Sequence, residues 1–313
     1  MSLAVCEFRA NTNLTELKSN YAIERILAAI WVAAQECAIG NRFNLVLSCL
    51  LPPGELADSE ALGRNLKEAL LSFDSPSGKC RVALKSFICH PEGGGLAMHY
   101  LANRKDIGDR SVGVVMMGHR NLSCFKVLNG TPGSFRTSDL GFSTLVKDVQ
   151  SNTSGYHERD ITETVAQYLI SKDIKVLDRL LLQKKVDLRA DELERLIKAI
   201  ELAKSAYCRS VIQWLEIQFP KIDEFVLGGG SASMFENEIL KVIEPILTIV
   251  PKEKVKAFFP QGGWMYPSNH PLQPQLRDRF ADVCALWSET FETDPNEKPN
   301  YNVSPPVLVH SLR

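Results

Sequence analysis

The sequence lacks a long apolar run and an excess of either charge. The chain has 313 residues, and its most apolar stretch, 22–34, contains Glu24 and Arg25. That stretch falls short of the roughly 20 apolar residues that a membrane span needs. Thirty-six Lys and Arg against 37 Asp and Glu give a net charge of −1, which supplies no electrostatic basis for broad binding to nucleic acid or acidic membranes. We therefore expect no membrane partner.

Paired cysteine motifs and a secretory leader are also missing. The eight cysteines are scattered without a Cys-x-x-Cys pair, and the chain does not open with a basic and apolar signal pattern. A chain of this size builds a core without disulfides, so we expect reduced thiols and a cytoplasmic location. The histidines show neither His-Glu-x-x-His nor triad spacing, so the sequence predicts no metal site and no hydrolase chemistry.

Apolar periodicity predicts alternating helices and strands. Helices are predicted over 13–39, 58–73, 96–104, 139–151, 233–247 and 272–291, with a long helical block over 158–219 that breaks near 186–191. Strands are predicted over 44–51, 80–90, 112–118, 122–128, 131–137, 225–227 and 254–259. Short turns separate the strands between 112 and 137, which favours an antiparallel meander.

The order of these elements predicts an α/β fold with two related halves. Residues 112–259 run β-β-β-α, a long helical insert, then β-α-β, which is the order of a ribonuclease-H-like domain. Residues 13–104 repeat this order without the opening strands, although 3–10 could supply one of them. The predicted domains are domain I at 1–110, completed by helix 272–291, domain II at 111–271 with the insert 158–219, and an exposed tail at 294–313.

The strongest local motif is a triple glycine. An apolar strand runs into Gly228, Gly229 and Gly230, and a helix is predicted to leave after Ser231. Glycines there let a backbone approach a flat or anionic ligand, and a helix N-terminus offers free N–H groups. The same pattern also serves a tight strand-to-helix turn that binds nothing. The spacing is not Gly-x-Gly-x-x-Gly, which disfavours a dinucleotide site.

A second motif lies on the preceding helix. Glu201, Lys204 and Cys208 are spaced i, i+3, i+7 and form a stripe beside the apolar core face. A glutamate and a lysine in that position could hydrogen-bond a ribose and an adenine. They could equally form a flanking ion pair of little energetic value.

With the strand order, these motifs resemble the actin-like ATPases, in particular the ParM/StbA-like proteins that segregate plasmids, over about residues 10–290. The resemblance implies a clamshell of two ribonuclease-H-like domains whose cleft holds ATP and Mg²⁺. The segment 225–232, FVLGGGSA, matches the family's adenosine motif. Glu201 and Lys204 are similar to the residues that grip adenosine in DnaK-type chaperones. Glu92, within Pro-Glu-Gly, resembles the acidic residue that positions the attacking water, which implies a catalytic role.

The phosphate-binding motifs depart from that family. Its second phosphate loop reads apolar-Asp-Ile-Gly-Gly-x-Thr, but this chain has VMMGHRN at 115–121. Met116 therefore replaces the aspartate that orders Mg²⁺, and a thioether cannot hold a hard cation. The resemblance still implies nucleotide contacts from Gly118, Arg120 and Asn121, with Arg120 replacing some of the lost cation charge. The other interpretation of Arg120 is a solvated turn residue.

The family's first phosphate loop, Asp-x-Gly, should precede residue 10 and is absent, so we expect a first domain shortened at its N-terminus or a natural protein with further upstream residues. We expect an actin-like protein that binds ATP or ADP with little Mg²⁺ dependence and with weak or absent hydrolysis. The resemblance implies self-association and a role in plasmid or DNA segregation with a DNA-binding adaptor. The alternative is a degenerate actin-like scaffold or adaptor that binds no nucleotide.

Overall fold

The computed structural model describes residues 22–102, 110–153, 155–220, 222–235, 237–239, 280–283 and 285–287. Over these residues the chain is mixed α/β and divides into two compact units between Glu92 and Gly93. No helix among them is both long enough and apolar enough to cross a bilayer.

The first unit contains a three-stranded sheet and its helices. Its elements are α1 (Ala22–Glu36), β1 (Arg42–Leu51), a 3-10 helix (Pro53–Asp58), α2 (Ser59–Leu71), β2 (Phe73–Ser75) and β3 (Gly78–Pro91). The strand order is β1-β3-β2, with β1 parallel to β3 and β2 antiparallel to it. A parallel pair requires a crossover connection, which α2 supplies.

Helix patterning explains the core of the first unit. Leu62, Leu66 and Leu70 recur every four residues along α2, and all three are buried. Leu66 and Leu70 pack with Leu27 and Ile30 of α1 against the sheet. The apolar periodicity that predicted these two helices therefore also marks the faces that the sheet covers.

The second unit contains a four-stranded sheet and a helical insert. Its elements are α3 (Gly94–Ala102), β4 (Ser111–Met117), β5 (Leu122–Leu128), β6 (Thr131–Ser138), α4 (Phe142–Ser151), α5 (Glu158–Ser171), a 3-10 helix (Ile174–Leu180), α6 (Val186–Gln218), β7 (Glu224–Gly228) and a 3-10 helix (Ala232–Met234). Residues 237–239, 280–283 and 285–287 are also helical. The strand order is β6-β5-β4-β7, with β4, β5 and β6 an antiparallel meander and β7 parallel to β4.

Both faces of this sheet are covered. Val115 and Met117 point into a large core with α4, α5 and α6. Val112 and Val114 point to the opposite face, where α3 and Ala281 pack. Alternation along β4 therefore places one helical layer on each face of the sheet.

The structure confirms the meander, the helical insert and the strand that leads to the triple glycine. The predicted break of the insert near 186–191 is wrong, because those residues form the start of α6, with Asp187 in its first turn. The chain breaks earlier. Lys172 takes a left-handed conformation with φ 58° and ends α5, and a 3-10 helix separates it from α6.

Leu96 and Ala97 of α3 pack in the core of the second unit, which begins at Gly93. The domain bounds 1–110 and 111–271 stay predictions. The short strand β2 was not predicted. The predictions that lie outside the described residues are strand 254–259, the tail 294–313, the possible strand 3–10 and large parts of the helices at 13–39, 233–247 and 272–291.

Candidate functional site

The carboxyl ends of β4 and β7 meet at one edge of the second unit's sheet. The two strands are parallel neighbours, and Met116 pairs with Gly228 in register. The turn 118–121 after β4 and the turn 229–231 after β7 consequently lie side by side. In α/β sheets, ligands bind outside the carboxyl ends of the strands. The structure thus brings the predicted phosphate turn and the triple glycine together at such an edge.

Ser231 fastens one turn to the other. Its hydroxyl donates a hydrogen bond to the carbonyl oxygen of Met117 across 2.9 Å, and its backbone N–H donates to the same oxygen at 3.2 Å. The residue is buried, with 3% of its surface exposed. Ser231 is therefore engaged in joining the two turns.

Close packing requires two of the three glycines. A Cβ at Gly228 would lie 2.3 Å from Leu96 Cδ1. Gly229 has φ +99°, and a Cβ there would lie 2.4 Å from the carbonyl oxygen of Met117, so both conformation and space demand glycine. Gly230, the third glycine, precedes Ser231 and is half-buried. The sequence allowed this motif to be a tight strand-to-helix turn. The packing of Gly228 and Gly229 supports that interpretation.

The turn after β4 is closed by its own hydrogen bonds. The Gly118 N–H donates to the Asn121 carbonyl oxygen at 3.0 Å, and Asn121 is buried. The carbonyl oxygens of Gly118 and His119 accept the N–H groups of Phe142 and Ser143 at the start of α4, at 3.1 and 2.8 Å. The amide that the sequence assigned to a phosphate therefore donates within the turn. Arg120 lies in the same turn and is half-buried.

Met116 lies at the sheet edge, in the position where the resemblance places an aspartate that orders Mg²⁺. A Cβ at Gly228 would lie 3.3 Å from the Met116 sulfur, and a Cβ at Gly93 would lie 3.0 Å from Met116 Cγ. Mg²⁺ prefers oxygen ligands, and this side chain has none. Within the described ranges, no three His, Cys, Asp or Glu side chains gather into a group that could hold a metal ion. The residues at this edge do not fit a magnesium site.

Lys204 forms the centre of a charged cluster between α6 and the segment that follows the triple glycine. It makes an ion pair with Glu238, which lies on the helical residues 237–239 that follow that turn. Burial acts to lower the pKa of Lys204, but the hydrogen bond to Glu238 and the nearby charges of Glu238 and Glu201 outweigh it and raise that pKa. Burial likewise acts to raise the pKa of Glu238, and the hydrogen bond from Lys204 reverses the effect and lowers it. The ion pair ties α6 to the segment after β7.

The other members of the predicted stripe differ in exposure. Glu201 is exposed on α6, so its carboxylate is accessible to a ligand. Cys208 is buried, and burial, reinforced by the charge of Glu238, raises the pKa of its thiol to about 11. Lys172, at the end of α5, has a lowered pKa because of burial and the positive charge of Lys204. Two cations thus face Glu201 and Glu238 in this cluster.

Glu92 belongs to the first unit, and the other predicted site residues belong to the second. It directly follows β3 and is half-buried. Its backbone N–H donates to the carbonyl oxygen of Leu51 at 2.8 Å. The backbone of Glu92 is therefore held at the carboxyl ends of β1 and β3.

Asp282 caps the start of α3, and the sequence did not predict this role. Its carboxylate accepts the backbone N–H groups of Gly93 at 2.6 Å and Leu96 at 3.0 Å, and the residue is 3% exposed. A carboxylate is stabilised at a helix N-terminus by the helix dipole and the unpaired N–H groups. The glycines at 93–95 signal an uncapped helix start, but no local pattern names a partner 189 residues away.

A buried ion pair lies at the amino end of β7. Glu224 is fully buried, and Arg110 Nη1 donates to its carboxylate at 2.7 Å. The Tyr100 hydroxyl donates to the other carboxylate oxygen. These contacts neutralise and satisfy the charge at the end of the sheet opposite the candidate site.

The second unit also contains a surface cavity of about 350 Å³ in its helical insert. Tyr156, Asp160, Glu163 and Arg179 contribute to its lining. None of the predicted site residues lines it. Arg179 in turn donates to Thr164 and Gln167, at 2.8 and 2.9 Å.

Comparison with solved structures identifies the fold. An archaeal actin homologue, Ta0583, superposes with a TM-score of 0.56 at 14% identity, covering 88% of this chain and 78% of that one. The actin-like protein Alp7A gives 0.53 at 13% identity over 84% and 73% of the two chains. ParM of Bacillus thuringiensis with ATP gives 0.50 at 12% identity over 87% and 74%. The fold is therefore actin-like, as the sequence resemblance implied.

Neither a protein-family model nor the sequence of a curated protein matches this chain. The similarity to solved structures therefore shows the fold of this chain. Neither sequence comparison assigns it an activity.

Proposed function

We propose that this chain is an actin-like, ParM-type protein that binds ATP or ADP and self-associates into filaments. In this proposal the chain has the two ribonuclease-H-like domains of an actin-like clamshell. The protein is cytoplasmic and serves plasmid or DNA segregation through a DNA-binding adaptor. The observation that carries the proposal is the meeting of the turns 118–121 and 229–231 at the carboxyl edge of an actin-like sheet.

The nucleotide is proposed to lie beside α6 and the triple glycine. Glu201 is exposed and can accept hydrogen bonds from ribose hydroxyls. Lys204 has three donors and lies next to the segment that follows the turn. A crystal structure of the same archaeal actin homologue, Ta0583, in complex with ADP has a TM-score of 0.50 to this chain at 13% identity, which supports an adenine nucleotide as the ligand.

We propose weak or absent hydrolysis for the bound nucleotide. ATP would bring a terminal phosphoryl group whose transfer needs its negative charge neutralised and a water placed for attack. Met116 offers no oxygen to a cation, and the Gly118 N–H donates to Asn121. Glu92 can orient a water, so one component of the machinery is kept and the charge-neutralising components are changed.

Titration calorimetry with ATP and ADP, with and without Mg²⁺, tests nucleotide binding. We expect binding that depends little on Mg²⁺, and we expect Lys204→Met and Glu201→Gln to weaken it by about tenfold, the loss of one hydrogen bond to a charged group. Lys198→Met is the matched control, because Lys198 is a lysine on the same helix outside the Glu201, Lys204 and Cys208 stripe. Robust Mg²⁺-dependent ATP hydrolysis by the purified chain would contradict the proposal of weak turnover.

Self-association needs a separate measurement. We expect light scattering and sedimentation to rise with protein concentration, and electron microscopy to show filaments. A chain that remains monomeric at all concentrations, with and without nucleotide, would refute the filament proposal while leaving nucleotide binding untouched.

A second candidate function is a scaffold that binds no nucleotide. It is favoured by the internal use of the predicted contacts: Ser231 donates to Met117, Gly118 donates to Asn121, and Lys204 pairs with Glu238. Absence of both binding heat and any thermal shift with ATP or ADP would decide for this scaffold.

A further inference from the structure

Two cysteines face each other across the parallel strands of the first unit. Cys49 of β1 and Cys89 of β3 are register partners, and their sulfur atoms are 3.5 Å apart. Both residues are partly exposed. Leu47 and Phe87 are register partners two positions earlier, so both thiols share the face of the sheet that carries those side chains.

The backbone spacing suits a covalent bond between these sulfurs. Neighbouring strands lie about 4.8 Å apart, which falls within the Cα separation of about 4.4–6.8 Å that disulfides span. The S–S distance must shorten from 3.5 Å to about 2.05 Å. Rotation about the two side-chain bonds can supply this shortening, so the sheet register need not change.

The two thiols are not equivalent. The Cys49 thiol donates its hydrogen bond to the Cys89 sulfur. This bond lowers the pKa of Cys89, and the Leu51 N–H adds to the lowering. The same bond, together with burial, raises the pKa of Cys49. The Leu51 N–H contacts only the Cys89 sulfur of the pair and stabilises its thiolate, and the thiolate is the nucleophile in exchange reactions. We therefore assign Cys89 as the attacking sulfur and Cys49 as the resolving one.

The other described cysteines lack this arrangement. Cys80, Cys124 and Cys208 are buried, and Cys37 is exposed in the turn after α1. Cys80 has a serine hydroxyl, that of Ser75, 3.3 Å from its sulfur. An exposed cysteine and buried cysteines in the same chain provide internal references for reactivity.

We propose that Cys49 and Cys89 form a redox site that exchanges with small-molecule disulfides of the glutathione type. The Cys89 thiolate attacks one sulfur of the small disulfide, its S–S bond breaks, and one small thiolate leaves with the electron pair and takes up a proton. Cys49 then gives its proton to solvent and attacks the Cys89 sulfur, which releases the second small thiol. Two protein thiols are oxidised to one disulfide, and one small disulfide is reduced to two thiols.

The bond would clamp the sheet next to Glu92. Leu51 and Glu92 follow the two cysteines by two and three residues, and the Glu92 N–H donates to the Leu51 carbonyl oxygen. The disulfide would thus join β1 to β3 just before the strand ends that hold the Glu92 backbone. This redox site stands on the first unit alone and does not depend on nucleotide binding.

Thiol mapping of the full chain tests the proposal. The protein is equilibrated with reduced and oxidised glutathione at several ratios, its free thiols are alkylated, and its peptides are analysed by mass spectrometry. We expect the peptides of Cys49 and Cys89 to be joined, with a mass lower by two hydrogens, and to separate on reduction. The proposal is overturned if both cysteines stay reduced while Cys37 carries glutathione.

Single variants test the assigned roles. In Cys49→Ser the mixed disulfide at Cys89 should accumulate because nothing resolves it, and in Cys89→Ser the thiol of Cys49 should react about tenfold more slowly than Cys89 does. Cys37→Ser is the control and should leave the bridge unchanged. Equal rates at Cys49 and Cys89 in the two variants would refute the assignment. Thermal unfolding of each variant verifies that it is folded.

Discussion

Ser231 donates its hydroxyl hydrogen to the carbonyl oxygen of Met117, which joins the end of β7 to the end of β4. The bond is buried and lies between two turns that the sequence resemblance assigns to different parts of a nucleotide. Gly229 packs against the same carbonyl group. The carbonyl oxygen of Met117 therefore packs against both Ser231 and Gly229, and these contacts fix the turn after β7 against the end of β4.

Gly229→Ala should destabilise the second unit by about 2–4 kcal/mol. The added Cβ would meet the Met117 carbonyl oxygen at 2.4 Å and would sit on a residue with φ +99°, and left-handed backbone alone costs a non-glycine residue about 1–2 kcal/mol. Gly130→Ala is the matched control, because Gly130 has φ +73° and an added Cβ there would meet nothing within 4 Å. Chemical denaturation measures both, and equal losses would contradict the packing argument.

Replacing Glu238 by Gln should lower stability by about 1 kcal/mol at neutral pH, a small effect because 34% of the Glu238 side chain is exposed. The folded pKa of Glu238 is lowered, so its contribution is present above the unfolded value of about 4.3 and is lost as pH falls through the lower folded value. The folded pKa of Lys204 is raised, so its contribution is complete below the unfolded value of about 10.4 and is lost as pH rises through the higher folded value.

Melting curves of the wild type and Glu238→Gln across pH verify this window. Their difference should be constant from about pH 6 to 9 and should vanish once the pH falls below the lowered pKa of Glu238. A difference that grows on acidification would show that the Lys204–Glu238 pair does not have the assigned sign.

Arg110→Met should destabilise the chain by about 3 kcal/mol, because it removes the cation that Arg110 supplies to the fully buried carboxylate of Glu224. The comparison is Lys79→Met, which removes the cation of an exposed pair with Asp74 whose side chains are 63% and 83% exposed. Exposed pairs contribute about 0–1 kcal/mol. Urea unfolding of the two variants measures the contrast, and losses of similar size would refute it.

Asp282→Ala should cost about 2–4 kcal/mol, since it removes the acceptor of two N–H groups at the start of α3. Asp173→Ala is the control. Asp173 caps a 3-10 helix with one exposed hydrogen bond, to the Lys175 N–H at 3.0 Å, so its loss should cost about 0.5–1 kcal/mol. Hydrogen exchange should also show faster opening of the first turn of α3 in Asp282→Ala, and unchanged exchange there would contradict the capping role.

Local patterns were sufficient for most elements of the fold. Alternation and turn residues predicted β4, β5 and β6, and the triple glycine marked the end of β7. The strand β2 was missed because three residues are too short for a period to register. Lys172 ended α5 through a left-handed conformation that no lysine signals in a sequence.

The contents of the candidate site were harder to predict because they depend on distant residues. The sequence could not show that Leu96 packs on Gly228 or that Glu238 neutralises Lys204. The residue types of Ser231 and Gly118 predicted contacts with a ligand. In the structure both residues instead donate hydrogen bonds to backbone oxygens of the chain itself. Long-range partners are invisible to motifs that span fewer than ten residues.

The capping of α3 by Asp282 has a consequence for biosynthesis. The two partners are separated by 189 residues, and ribosomes add about 5–20 residues per second. The amino end of α3 must therefore wait roughly 10–40 seconds after its own translation before its cap exists. During that interval α3, the first helix of the second unit, is exposed to chaperones and proteases without its cap. The rate of translation therefore influences how this protein reaches its folded state.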